Sequence, residues 1–339
     1  MSSVGGRSWV IVSALTMLML LLAACGGGAP SGGNSGDPRQ ETIRLGFSSG
    51  SAIENSLGYK ALDLMAEDGW NIEVTSFNGS TTTTRALIAG EVDVVEVSAT
   101  AALVALAEGG DFVAFASHDS KPKYVIVAKD SVKSLEDLYD IRFAVAEQQG
   151  IERATGSVIF EEEGLNWDQV NTVIIGGSGD RAKALLAGQV DATFLNFPQW
   201  PVFEREGGFH ILAQAADYMD YMMDDAYWTT SSWLANHEEF AVAFNGALME
   251  AAAWLTDSGN KEEALAYIKQ KLPDMSEEDV AINYDTLLRI GMWPAEGNLS
   301  SENAERTAAT LVEYGIISNA PDVGKWVAPQ YQERARQGG

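Results

Sequence analysis

Arg85-Ala86-Leu87-Ile88-Ala89-Gly90-Glu91-Val92-Asp93 returns, 98 residues on, as Lys183-Ala184-Leu185-Leu186-Ala187-Gly188-Gln189-Val190-Asp191. In each copy a small, apolar helix is stopped by glycine, and a Val-Asp step leads into a new apolar run. The offset holds elsewhere. Ile43-Arg44-Leu45 answers Ile141-Arg142-Phe143, and Gly79-Ser80 answers Gly177-Ser178, while Ser49-Gly50 answers Gln149-Gly150 with a small slip. Each copy reads as strand, glycine-bearing loop, helix, strand, small-residue loop, helix, short strand. Two similar units in one chain predict two lobes that face each other across a cleft. The alternation of strands and helices predicts an α/β fold, each lobe a mainly parallel sheet flanked by helices.

Working outward, strands are expected at 43–47, 72–77, 93–97, 124–128, 141–146, 170–175 and 190–195. Helices fall between them, near 57–65, 81–89, 101–108, 151–163 and 180–187. Beyond Trp233 the chain turns helical, and Phe240, Phe244, Leu248, Ala252 and Leu255 form one stripe at helical spacing. A stripe of that kind is core packing. Extra helices follow near 261–271, 276–289 and 300–314. Lobe one is expected at 41–120 plus 228–335 and lobe two at 121–227, with the crossings near 118–124 and 217–228 as a hinge.

The chain carries 48 Asp and Glu against 22 Lys and Arg, a net charge of −26. Nucleic-acid binding rests on neutralising phosphates with Lys and Arg, so so acidic a surface argues against that partner. The N-terminus is set apart from the fold. Arg7 precedes an apolar run from Trp9 to Leu22, too short to span a bilayer comfortably, and Gly26 to Gly36 reads as a flexible leash. The sole cysteine, Cys25, leaves no disulfide framework.

Enzyme signatures are sparse. No nucleophile elbow, P-loop, dinucleotide fingerprint or HExxH helix is present. His118, His210 and His237 stand far apart without metal-ligand spacing, so neither a metal nor a cofactor is expected; His118 alone sits at a predicted crossing. Asp217, Asp220, Asp224 and Asp225 could gather a cation but read better as a solvated acidic segment. The loops say more. In open α/β sheets, ligands sit beyond the carboxyl ends of the strands, beside helix N-termini. Ser49, Asn78, Ser80, Ser98, Thr100, Gln149 and Ser178 occupy such loops and are the expected ligand-binding residues, with Asn196, Trp200 and Trp228 flanking the other end of the pocket. Arg153 and Arg181 are the nearest basic residues.

Several stretches together resemble the substrate-binding lipoproteins of bacterial ABC importers, in the nitrate, sulfonate and taurine branch. They are Ile43 to Phe47 after the leash, Ala86 to Asp93 leading to Ser98, Tyr124 to Ser131 followed by Ser134 to Leu138, Arg142 to Gly150, and Ala187 to Ala192. The resemblance covers about residues 41–290. Where many relatives carry an acid after the second short strand, this chain has Leu195-Asn196-Phe197-Pro198. Leu22-Ala23-Ala24-Cys25 resembles a lipobox. The resemblance implies a signal peptide over 1–24, a tether over 25–40, lipidation of Cys25 and an extracytoplasmic, membrane-anchored location. It also implies a type II periplasmic-binding-protein fold, a small-molecule solute, and an importer permease and ATPase as partners of a monomer. The expected solute is sulfonate- or carboxylate-like. Alternatives are a receptor for a neutral heterocycle, a sensing domain, or an enzyme of pyrimidine vitamin-precursor synthesis on the same scaffold.

Overall fold

Runs of buried valine and alanine, broken by glycine loops and amphipathic segments, fold in the expected alternation. The first stretch gives β1 (Thr42–Phe47), α1 (Ser56–Glu67), β2 (Asn71–Ser76), α2 (Ser80–Ile88), β3 (Val94–Ser98), α3 (Ala99–Ala107) and β4 (Val113–Ser117). The second gives β5 (Tyr124–Lys129), β6 (Phe143–Val145), α4 (Ile151–Glu162), β7 (Thr172–Ile174), α5 (Ser178–Leu186), β8 (Ala192–Asn196), α6 (Trp200–Glu206) and β9 (Phe209–Gln214). Then come α7 (Ala215–Tyr218), β10 (Asp225–Thr229), α8 (Ser231–Asn236), α9 (Glu238–Thr256), α10 (Lys261–Lys271), α11 (Glu277–Ile290), α12 (Ser301–Glu313) and α13 (Gln330–Arg336). The computed structural model describes residues 37–50, 52–119, 121–146, 148 and 151–338. The expected signal segment, Cys25, most of the tether and Gln149 lie outside these residues. Among the described residues, no helix is long and apolar enough to cross a membrane.

The repeat is real in three dimensions. α2 and α5 span 80–88 and 178–186, and β3 and β8 span 94–98 and 192–196, so both keep the 98-residue offset at either end. Two five-stranded sheets result, in the orders β2-β1-β3-β10-β4 and β7-β6-β8-β5-β9. These are one topology twice. In the first sheet β1 runs parallel to β2 and β3, and in the second β6 runs parallel to β7 and β8. One strand of each sheet is an antiparallel insertion, β10 between β3 and β4 and β5 between β8 and β9, so β4 and β9 run in the same direction as the parallel strands. Each inserted strand directly follows a crossing between the lobes and sits second from the edge of its sheet.

A repeated ion pair explains the repeated motif. The Arg44 guanidinium bonds both oxygens of Asp93 at 2.9 and 2.6 Å and donates to the Gly90 carbonyl at 2.8 Å. Arg142 does the same with Asp191 at 3.3 and 3.5 Å and with the Gly188 carbonyl at 3.1 Å. Gly90 and Gly188 both have φ near the left-handed region, 70° and 71°. That conformation ends a helix, and it turns the freed carbonyl toward the arginine. Helix end, third strand and first strand of each copy are thereby pinned together.

The stripe on α9 buries as expected: Phe240, Phe244, Leu248, Ala252 and Leu255 are all 5% exposed or less, and α9 packs along α1. Each such large side chain contributes roughly 1.5–3 kcal/mol by leaving water. The C-terminal segment returns to the first sheet, where Trp326 stacks on Trp228 at 5.8 Å.

Candidate functional site

Three cavities adjoin where the carboxyl ends of the central strands meet, with volumes of about 660, 260 and 290 Å³. Tyr124, the first residue of β5, lines all three. The first sheet contributes Ser48, Glu96 and Ser98, and the second contributes Asn196, so the cavities form a cleft between the lobes. α2 and α5 begin at Gly79 and Gly177 with no side chain capping either end. Gly79 and Ser80 line the first two cavities, and Gly177 and Ser178 the third. Free amides at a helix N-terminus carry partial positive charge, so one such end enters the cleft from each lobe.

Most of the residues expected at the pocket are brought together here. Asn78, Ser80, Ser98 and Thr100 line the largest cavity, Ser49, Ser80, Ser98 and Asn196 the middle one, and Ser178 and Asn196 the third. Some are already engaged. Ser98 Oγ accepts from the Ala101 amide at 3.3 Å and caps α3, Ser80 Oγ accepts from the Ser98 amide at 3.2 Å, and Ser178 Oγ bonds Gln199 at 2.5 Å. Turn and cap chemistry thus accounts for part of the serine content of these loops.

Two aromatic residues do not take the expected place. Trp228 is fully buried, donates to the Val97 carbonyl at 3.2 Å and stacks on Trp326, so it belongs to the core of the first lobe and lines none of these cavities. The reason is its strand: β10 is inserted between β3 and β4 and is covered on both faces. Trp200 opens α6 and packs against the apolar cluster around Phe203 and Leu195, also outside the cavity linings.

The cleft floor holds what the loops did not reveal. Lys123, on the crossing into the second lobe, is buried and pairs with Asp225, with Asp119 at 3.6 Å, Glu54 at 3.7 Å and Asp224 at 3.9 Å. Asp224 and Asp225 are each 8% exposed, so the end of the acidic run is not solvated. Glu96, in β3, accepts from the Ser48 amide at 3.1 Å and hydroxyl at 3.0 Å. His118 Nδ1 lies 2.7 Å from Asp119 Oδ1. Burial raises Glu96 to about 7, helped by Asp225 and opposed by His118 and Lys123. Burial likewise lifts Asp224 to about 7, against the pull of Lys123. Burial alone would lower the His118 imidazole, but Asp119, Glu96 and Asp225 outweigh it and carry it up to about 9. Removing one partner from so dry a cluster would cost about 3–5 kcal/mol.

Basic groups are otherwise scarce. Arg181 is buried and bonds Glu152 and the carbonyls of Gly176 and Phe194, the last at 3.2 Å. Arg153 pairs with Asp168 at 2.7 Å. Arg85, exposed on α2, lines the largest cavity. Sequence reasoning passed over it because it lies on a helix and not in a loop.

The fold has many relatives of known structure. The periplasmic aliphatic sulphonate-binding protein SsuA of Escherichia coli superposes with a TM-score of 0.71 at 17% identity, covering 86% of this chain and 99% of that one. The nitrate-binding protein NrtA of Synechocystis PCC 6803 gives 0.69 at 15%, covering 88% of each. The alkanesulfonate-binding protein SsuA of Xanthomonas axonopodis pv. citri, bound to MOPS, gives 0.65 at 18%, covering 87% and 100%. These likenesses establish the two-lobed periplasmic-binding-protein fold. No curated protein matches the sequence. The profile of the NMT1-like family matches residues 36–269, and the chain belongs to that family.

Proposed function

We propose that this chain is an extracytoplasmic solute receptor, a binding protein and not an enzyme, that delivers a small organic solute to the permease and ATPase of an ABC importer. The observation that carries this reading is the pair of uncapped helix ends, one from each repeat, entering a single interlobe cleft. A solute touching both ends favours the closed arrangement by its differential affinity, with 118–124 and 217–228 as the hinge. The names of the SsuA and NrtA relatives support the same reading, as does the family profile. Lipidation at Cys25 would hold the receptor, as a monomer, at the outer face of the membrane.

The solute is read as a sulfonate or carboxylate whose head lies over the N-terminus of α2, in the cavity that Arg85 of that helix's last turn also lines. The helix dipole favours negative charge at that end. A neutral heterocycle is the second reading. The carboxylates of Glu96, Asp224 and Asp225 on the cleft floor favour it, since they accept from ring amino groups and repel an anion. Calorimetry with alkyl sulfonates, carboxylates and pyrimidines tests both. Asn196 lines two of the cavities. Asn196→Ala should weaken the true solute by about 1–3 kcal/mol, the cost of a lost desolvated polar contact. If Asn196→Ala and Asn78→Ala both bind as tightly as wild type, the solute sits elsewhere.

A further inference from the structure

The buried charges of the cleft floor do not balance. Glu54, Glu96, Asp119, Asp224 and Asp225 are all at most 8% exposed, and Lys123 is the lysine among them, with His118 beside it. Lys123 bonds Asp225 and approaches Asp119, Glu54 and Asp224 at 3.6, 3.7 and 3.9 Å. Beside it three groups converge. One donor atom from each of Glu96, His118 and Asp225 lies within 4.8 Å of the other two, and all three residues are buried.

The orientation of the imidazole is telling. Its Nδ1 is held by Asp119 at 2.7 Å, and its Nε2 is buried with no hydrogen-bond partner among the described residues. A carboxylate on one ring nitrogen fixes the tautomer that presents the other to a metal. Glu96 is steadied by Ser48 through Oε2, and Asp225 by Lys123 through Oδ2, so each is oriented by one oxygen while carrying a second.

We propose that Glu96, His118 and Asp225 form a binding site for one divalent metal ion of the zinc class, with Asp119 as the residue that positions His118. One imidazole nitrogen and two carboxylate oxygens suit zinc, cobalt or manganese better than magnesium or calcium, which prefer an all-oxygen shell. The ion takes the place of a proton on Nε2 and brings positive charge to a cluster short of it. Three protein ligands leave a fourth position, and Glu96 and Asp225 line the 260 Å³ cavity, so that position faces the cleft. The site stands apart from the receptor reading, because the ion is bound and measured with no solute present.

The test uses the untagged full chain stripped with a chelator. Calorimetry with zinc, magnesium and calcium chlorides should give one equivalent of zinc, with the other two at least 100-fold weaker, on the order expected for this donor set. Glu96→Gln keeps the acceptor for Ser48 and should abolish binding. Asp119→Asn should weaken zinc by about 10–100-fold, a loss that a merely packed carboxylate would not cause. Circular dichroism checks that each variant folds. Cobalt absorption bands on the wild type report nitrogen and oxygen ligation even if a variant does not fold. A wild type that takes up neither zinc nor cobalt at micromolar concentration overturns the site, and so does undiminished zinc binding by folded Glu96→Gln.

Discussion

Asp191 accepts from Arg142 and from Lys129, the latter at 2.7 Å, while the carboxylate of its repeat partner Asp93 meets Arg44 alone among the described residues. Partial burial pushes the Asp191 carboxyl up, but the bonds from Lys129 and Arg142 outweigh it and hold it below the ordinary 3.8. A depressed carboxylate adds stability that is fully present above its unfolded value and fades as pH falls through the lower folded one. Asp191→Asn should therefore lose about 0.5–1 kcal/mol at neutral pH, modest because Arg142 is half exposed. The gap from wild type should close on acidification below 3.8. Urea unfolding at a series of pH values measures it, and a gap that ignores acid would mean the pair contributes nothing through charge. At this scale the loop residues were legible, because serine, asparagine and glycine beside a strand end can be placed without knowing the fold. Glu96, His118 and Asp225 were not. They come from β3, from the end of the run after β4, and from β10, so no spacing along the chain could have grouped them.

The repeat also governs how closely helices lie on the sheets. Gly58 in α1 and Gly156 in α4 stand 98 residues apart. A Cβ at Gly58 would fall 2.2 Å from Tyr227 Oη, and one at Gly156 only 2.5 Å from the Trp167 ring. In both lobes glycine lets an aromatic side chain press against helix backbone. Replacing helical glycine by alanine gains about 1 kcal/mol of propensity in the open. Here overpacking against a ring wedged among Phe143, Phe160 and Phe194 should win. Gly156→Ala should destabilise by about 1–3 kcal/mol net, read as a lowered melting temperature. A raised one would mean that the Trp167 ring yields freely. The strands most visible beforehand were those of the repeat. Val113–Ser117 and Asp225–Thr229 are buried at every position and show no half-exposed alternation, and neither lies in the repeated motif that drew attention to the equally buried Phe143–Val145.

For the whole molecule, two lobes and a cleft followed from the repeat, while the one antiparallel strand of each sheet, second from an edge, followed only from the path of the chain. That path has a consequence for the order of assembly. Every strand of the second sheet lies between Tyr124 and Gln214, a continuous stretch. The first sheet is different: β4 joins it only through β10, which is not made until the second lobe has been synthesised. The N-terminal lobe therefore waits, with β3 and β4 unpaired on their facing edges, for a strand more than a hundred residues downstream of β4. Closing so long a loop is slow, and exposed edges meanwhile invite misassociation. Pulse-labelled hydrogen exchange during refolding should find amides of β5, β6 and β8 protected before those of β4 and β10. Simultaneous protection would mean that the two lobes fold as one unit. A chain synthesised in this order carries its finished lobe as an insertion within its unfinished one.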